Sequence, residues 1–332
     1  MDKMVLEVLS KYGIRPQKCT LIRNKEDRSV WKVEGKKGRF VLKLVSAEKA
    51  QKISNVTLFL SGKGIPVIPV VPTLKGDFVV RSKKNFFVLF PWFDGDAISY
   101  RTPGTIEKMS VLLAQFHEAS RGFQAAGKPI KKTELNLLKE YSRKVEQLDK
   151  IYKKVRSRKD PIVKVFLDHY SWLRKRCDWV INTLPNTSYY KLLKLADLDP
   201  VLIHGDYAKY NILSDNEGNW KIIDLDDVEI SFPLKELSKM MSRIECKLGN
   251  WSLARYQSIL QCYRSIRPFS EEEEELLLFD QCFPDRILNL MNKYYRKDKK
   301  DESFLEEFKN CLAIDKEKIK ELSIKDLEWG SS

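Results

Sequence analysis

Between residues 201 and 230, a chain that otherwise reads as helical from residue 95 to about residue 313 breaks into short β-type runs. The apolar run Val201-Leu202-Ile203 delivers His204-Gly205-Asp206 into a tight loop. Asn211–Ser214 and Asn219–Leu225 follow as two further strands, with Asp215-Asn216-Glu217-Gly218 turning between them. The remaining β-type sequence lies before residue 93. A β-rich start, a helical remainder and one β interruption constrain the chain to an α+β class.

At 332 residues, the chain is long enough for two lobes with their own cores. The first, residues 1–93, opens with a helix over about residues 2–12 that stops at Gly13. Strands are expected at Thr20–Arg23, Ser29–Glu34 and Arg39–Val45, the last two joined by the turn Gly35-Lys36-Lys37-Gly38. A helix over Ala47–Lys63 and strands at Asp77–Ser82 and Asn85–Phe90 complete a small, mainly antiparallel sheet with one inserted helix. Pro91-Trp92-Phe93-Asp94-Gly95 ends the pattern. The second lobe, residues 94–332, is mainly helical: one helix from near Pro103 to Ser120, then periodic segments at roughly 134–155 and 161–183. Ser270 and Glu273 fit a capping box, which accounts for the run Glu271–Glu275 as a helix start. Residues 315–332 read as a polar, frayed tail.

No apolar run reaches the about 18 residues that a membrane span needs, and Met1–Glu7 carries no secretory-signal pattern. Six scattered cysteines form no C-x-x-C, so zinc and redox motifs are unsupported and reduced thiols in a reducing cytoplasm are expected. The net charge of +14 is uneven. Residues 1–93 hold 19 Lys/Arg against 7 Asp/Glu, leaving only +2 for the rest. A basic first lobe suits an anionic nucleotide or surface, or is a solvated face. Its clusters lack interleaved aromatics and any recognisable motif, so nucleic acid is the least favoured partner. Segment 121–160, with 13 basic against 5 acidic residues, hints at an anionic acceptor or the outside of a helix pair.

The chemistry concentrates in His204-Gly205-Asp206, Asn211 five residues after Asp206, and Lys221-Ile222-Ile223-Asp224 closing an apolar strand. Phosphoryl transfer from ATP needs one carboxylate to orient and deprotonate the attacking hydroxyl, hard oxygens to hold Mg²⁺, and a cation on the phosphates. Asp206 suits the first role, Asn211 and Asp224 the second. Lys43, centred in Phe40-Val-Leu-Lys-Leu-Val45, suits the third; a lysine so placed needs a partner.

His204-Gly205-Asp206-x₄-Asn211 with Ile223-Asp224 resembles the aminoglycoside phosphotransferase/choline kinase superfamily. The resemblance implies a bilobal protein-kinase-like fold, with a small antiparallel-sheet N-lobe and a mostly helical C-lobe carrying the catalytic loop. Length and basic character make the chain similar to the bacterial spore coat CotS family. The resemblance implies Asp206 as catalytic base, His204 bracing its loop, and Asn211 and Asp224 as metal ligands. It places Lys43 on the ATP phosphates and the adenine on backbone groups of Phe90-Pro91-Trp92-Phe93, with the Pro91 carbonyl, the Phe93 N–H and Phe90 as a pocket wall. His117 is read as a packing or hydrogen-bonding residue and His169 as a surface residue.

Departures from the superfamily pattern are specific. Arg23-Asn24-Lys25-Glu26-Asp27-Arg28-Ser29 has no glycine to bring backbone close to phosphate, so Ser29 and its neighbours are the candidates there. The helix after Lys43 offers only Glu48, with Asn55 and Thr57 deeper, so Lys43 is expected to lack its usual glutamate partner. Glu236 stands where the family's Pro-x-x-Asp-Leu segment has aspartate. Asp226 and Asp227 are extra acids, assigned equally to a solvated loop or to binding a second metal or a cationic substrate. Two functions follow: an ATP- and Mg²⁺-dependent kinase acting on a hydroxyl of a small-molecule or coat-associated acceptor, or a kinase-fold structural protein of the spore coat that partners other coat proteins. Cytoplasm or the spore coat is the expected location.

Overall fold

Asp2 caps the first helix, α1 (Lys3–Lys11), its carboxylate accepting the Met4 N–H at 2.9 Å. The computed structural model describes residues 2–25, 28–124, 136–198, 200–296, 303–324 and 327. Glu26 and Asp27 of the expected phosphate loop, residues 125–135 of the basic segment and most of 325–332 lie outside the described residues. After α1 come β1 (Pro16–Lys25), β2 (Arg28–Gly35), β3 (Gly38–Val45), α2 (Ala47–Gly62), β4 (Val80–Ser82) and β5 (Asn85–Pro91). They make an antiparallel sheet in the order β1-β2-β3-β5-β4.

The two faces of this sheet follow from the period of two along each strand. Leu42 pairs with Leu89 and Leu44 with Phe87, and this face packs on Val5, Val8 and Leu9 of α1. The opposite face carries Val45 and Val88, packed with Ala50 and Ile53 of α2. Lys43 pairs with Val88, so it lies on the α2 side among apolar neighbours. A one-residue slip of β3 would send it to the other face.

The chain continues through β6 (Asp96–Ala97), α3 (Thr105–Ala119), α4 (Leu137–Val155), α5 (Pro161–Thr183) and α6 (Tyr189–Leu198). The β interruption follows as β7 (Leu202–Ile203), β8 (Ile212–Ser214), β9 (Trp220–Ile222) and β10 (Glu229–Ile230). It forms two small sheets, β6-β8-β9 and β10-β7. The Asp215 carboxylate fastens the β8–β9 turn by accepting the N–H groups of Glu217 and Asn219 at 3.0 and 2.8 Å. Among the described residues, α7 (Pro233–Leu248), α8 (Leu253–Arg264), α9 (Glu271–Cys282), α10 (Asp285–Arg296) and α11 (Ser303–Glu321) follow. The capping box of α9 forms as expected, with Ser270 and Glu273 exchanging bonds of 3.2 and 3.1 Å.

The described residues pack as two compact units. One comprises Met1–Ser99, Phe116–Lys132 and Leu202–Ile230; the other comprises Tyr100–Gln115, Thr133–Val201 and Ser231–Ser332. The β interruption therefore belongs with the sheet. Among the described residues, no helix is long and apolar enough to cross a membrane.

The expected frayed tail is corrected. Residues 315–321 finish α11, and Asp315, Lys318 and Ile319 are buried. The charges are tolerated because they meet partners. Fully buried Arg176 of α5 donates to Asp315 at 2.6 Å, and Lys318 lies 3.2 Å from Asp315 and 3.6 Å from Glu245. Leu327 is also buried, and its carbonyl accepts the Trp172 indole N–H at 2.8 Å.

Removing one member of this network leaves buried charge uncompensated, which typically costs about 3–5 kcal/mol. Asp315→Ala is expected to lose stability of that order in denaturant unfolding. Burial opposes ionisation of Asp315, but Arg176 and Lys318 hold its carboxyl below the ordinary range. Its contribution is therefore present above the usual carboxylate pKa and is lost as pH falls, so parent and variant should converge in acid.

Candidate active site

Strand β7 pairs with β10, Ile203 opposite Glu229 and Leu202 opposite Ile230, and this holds the start of the His204-Gly205-Asp206 loop. Gly205 has φ +81°, and a Cβ there would lie 2.3 Å from the Asp227 carbonyl oxygen. Only glycine lets the two loops approach so closely.

His204 is fully buried and bridges two segments. Its Nδ1 is 3.2 Å from the Asp206 N–H, and its Nε2 is 3.0 Å from the Ile223 carbonyl. A backbone N–H can only donate, so Nδ1 accepts and Nε2–H donates. The ring thereby ties the Asp206 loop to the strand end that carries Asp224. Asn211 adds a second tie: its amide nitrogen donates to the Asp206 carbonyl at 2.9 Å and to the Asp206 carboxylate at 3.2 Å. The Asn211 carbonyl accepts the Ile223 N–H at 2.9 Å.

Asp224 follows β9 with φ 63° and ψ 55°, a left-handed conformation that costs a non-glycine residue free energy. Its carboxylate lies 2.6 Å from Lys43 Nζ, and the Asp226 carboxylate lies 3.1 Å from the same nitrogen. Burial works against the Lys43 ammonium, but Asp226 and Asp224 outweigh it and hold its pKa above the ordinary value. Burial likewise raises Asp226, while Lys43 overcomes burial at Asp224 and holds that carboxyl low. Lys43 thus has its counter-charge, contrary to the expectation from α2. Asp226 supplies what the helix does not, and is not a solvated loop acid. Asp227 is the more exposed one and pairs with Lys49 of α2 at 3.1 Å.

Lys43, Asn211, Asp224 and Asp226 line a cavity of about 480 Å³, within the range of roughly 300–1,000 Å³ usual for small-molecule sites. Val30, Val41, Leu213 and Ile222 give it apolar walls, and Phe90, Pro91, Trp92 and Phe93 border it. Lys43 Nζ stands 5.9 Å from the centre of the Phe90 ring. Asp206 is not among the lining residues and adjoins the cavity through its bond to Asn211. Ser29 does not line it either; its hydroxyl donates to the Asn24 side chain at 2.9 Å. His117 is buried, its ring centre 6.1 Å from that of Phe116. His169 is only half-buried and bonds the Val165 carbonyl at 2.8 Å.

Sequence reasoning missed Arg23 and Arg28, which both line the cavity. Arg23 pairs with Val30 and Val30 with Lys43, so all three share one rung of the sheet. A register shift between Leu21 and Arg23 inserts Ile22 and breaks the alternation that would have revealed the face of Arg23. Arg28 was legible in principle, two residues before Val30 on the same strand face.

Comparison with known proteins identifies the family and the fold. The profile of the phosphotransferase enzyme family matches residues 18–269. Spore coat protein S of Bacillus subtilis (strain 168) is 24% identical over 328 residues, covering 96% of this chain and 92% of that protein. Among solved structures, an aminoglycoside phosphotransferase from Alicyclobacillus acidocaldarius subsp. acidocaldarius DSM 446 superposes with TM-score 0.81 at 16% identity, covering 96% of this chain and 95% of that one. Spectinomycin phosphotransferase in complex with ADP and spectinomycin gives TM-score 0.63 at 16% identity and 94% of both chains. A microcompartment-associated aminopropanol kinase gives 0.61 at 16% identity and 98% of both. The fold is thus the kinase-like one, an antiparallel-sheet N-terminal part with a mostly helical remainder.

Lys43→Met removes the shared cation from two partly buried carboxylates, and a loss of about 3–5 kcal/mol at neutral pH is expected. Asp226 already titrates high. Protonating it relieves the repulsion, so the stability gap to the parent should narrow as pH falls. Denaturant midpoints of both proteins at pH 8 and pH 5 check the sign.

Proposed function

Because the chain belongs to the phosphotransferase enzyme family, we propose that it transfers the γ-phosphoryl group of ATP to a hydroxyl of a small-molecule or coat-associated acceptor. The observation that carries this reading is the convergence of Lys43, Asn211 and Asp224 on one cavity, with Asp206 hydrogen-bonded to Asn211.

In this reading Asp206 accepts the proton of the attacking hydroxyl, held at its station by His204 and Asn211. The adenine lies between the apolar walls, against the backbone of Pro91 and Phe93. Lys43 meets the phosphates. Arg23 and Arg28 take over from the absent glycine loop: where backbone amides cannot close on phosphate, guanidinium groups bind its oxygens as charged, forked donors. The Asn211 amide nitrogen is committed to Asp206, which leaves its oxygen as the free donor. With the Asp224 carboxylate it makes a hard-oxygen pair suited to Mg²⁺, which is usually held by one or two carboxylates plus phosphates and water. When bound, that ion neutralises charge on the β- and γ-phosphates.

The likeness to spore coat protein S along 96% of the chain supports a place in the spore coat. It also favours a second reading, a kinase-fold coat component without turnover, with other coat proteins as partners.

Saturable thermal stabilisation of the parent by Mg-ATP is expected; its absence at millimolar nucleotide favours the structural reading. Asp206→Ala should bind Mg-ATP as the parent does while ATP turnover falls about 100- to 10,000-fold. Unchanged turnover removes Asp206 from its role. Arg23→Gln and Arg28→Gln should each weaken ATP roughly tenfold or more while sparing AMP, read by calorimetry; equal losses for both nucleotides contradict the phosphate contact.

A further inference from the structure

We propose that Cys246 and Cys311 are a modification site, closing to an intramolecular disulfide when the protein meets a peroxide. Nothing in the nucleotide chemistry bears on this. The two thiols are free, lie on α7 and α11 of the helical unit, and have their sulfurs 3.5 Å apart. A disulfide needs about 2.05 Å, so the sulfurs must close by about 1.5 Å.

Contacts beyond Cys311 along α11 already hold the α7 region against it. Glu245, next to Cys246, faces Lys318 at 3.6 Å, and Glu317 accepts the Trp251 N–H at 3.1 Å. The two cysteines are unequally placed. Cys246 is partly exposed, whereas Cys311 is 2% exposed. Arg286 of α10 brings its charge beside both sulfurs and pairs with Glu307, one turn before Cys311. Its buried Nε has no hydrogen-bond partner among the described residues. A guanidinium in that position favours thiolate. Contact with Cys311 and the Arg286 charge hold the Cys246 thiol below its ordinary pKa against burial. The same contact, and then burial, push Cys311 well above. Cys246 is the sulfur that solvent reaches, so it is the attacking one, and the buried Cys311 is the resolving one.

The chemistry balances with hydrogen peroxide as oxidant. The Cys246 thiolate attacks one peroxide oxygen and the O–O bond breaks. This gives a sulfenic acid, and the departing hydroxide takes a proton to leave as water. The Cys311 sulfur then attacks the Cys246 sulfur. The S–S bond forms, the S–O bond breaks, and the thiol proton leaves with the hydroxide as a second water. Both sulfurs are oxidised and the peroxide is reduced. The other cysteines are internal controls: burial raises the thiols of Cys19 and Cys262 and pushes Cys177 to about 12 and Cys282 to about 11.

The test is peptide mapping of the full chain, folded and treated with a few equivalents of hydrogen peroxide, then alkylated and digested without reductant. One linked pair of peptides containing Cys246 and Cys311 is expected, two hydrogens lighter than the reduced pair and separated by dithiothreitol. Thermal melting should rise on linkage and return on reduction. Cys311→Ser should stop at a Cys246 sulfenic acid that dimedone labels, and Cys246→Ser should leave Cys311 unreacted. Recovery of both cysteines as free thiols after peroxide overturns the proposal, as does over-oxidation of Cys246 beside an unlinked Cys311. If either serine variant fails to fold, the parent map alone decides between these outcomes.

Discussion

Lys43 brings a positive charge into a largely buried strand position, and two carboxylates from a loop some 181 residues later meet it there. An unpaired ammonium in such surroundings is strongly unfavourable, and so are two neighbouring carboxylates without a cation. Each side therefore requires the other, and the sheet and the Asp224–Asp227 loop are fixed in register by electrostatics as well as by packing. Like many buried ion clusters, this one is better understood as a device for position than as a source of net stability. The charges it holds at Lys43 and Asp224 are the types that a nucleotide triphosphate and its counter-ion require.

Around this centre, the protein holds chemistry in place with short backbone and side-chain ties. One imidazole, His204, serves two segments through its two nitrogens, and Asn211 ties the same segments through both its side chain and its backbone. Asp206 and Asp224 are thus held by adjoining bonds. Rigid support of this kind suits a reaction in which positioning and charge do most of the work. The strained backbone of Asp224 belongs to the same logic: the loop accepts an unfavourable conformation where the direction of one carboxylate matters.

Much of this was legible in the chain. The spacing from His204 to Asn211 and on to Asp224 is local, and strand alternation around Lys43 identifies a buried cation that needs a partner. Partnerships between distant loops were harder to read. Asp226 looks like an ordinary loop acid until the β9 turn is seen to aim it at Lys43. The end of the chain misled for a related reason. Asp315 and Lys318 read as solvated, but Arg176 and Glu245 draw them inside. Charged residues are poor indicators of exposure where an opposite charge, remote in sequence, awaits them.

The extra residue at Ile22 has a wider consequence. Because it shifts the pairing of β1 by one position, the strand presents Leu21 outward and still delivers Arg23 to the cavity rung. The bulge residue is therefore dispensable to the cavity: with Ile22 deleted, Leu21 would still stand opposite Trp31 and the arginine opposite Val30, so the strand can lose a residue there without moving its guanidinium.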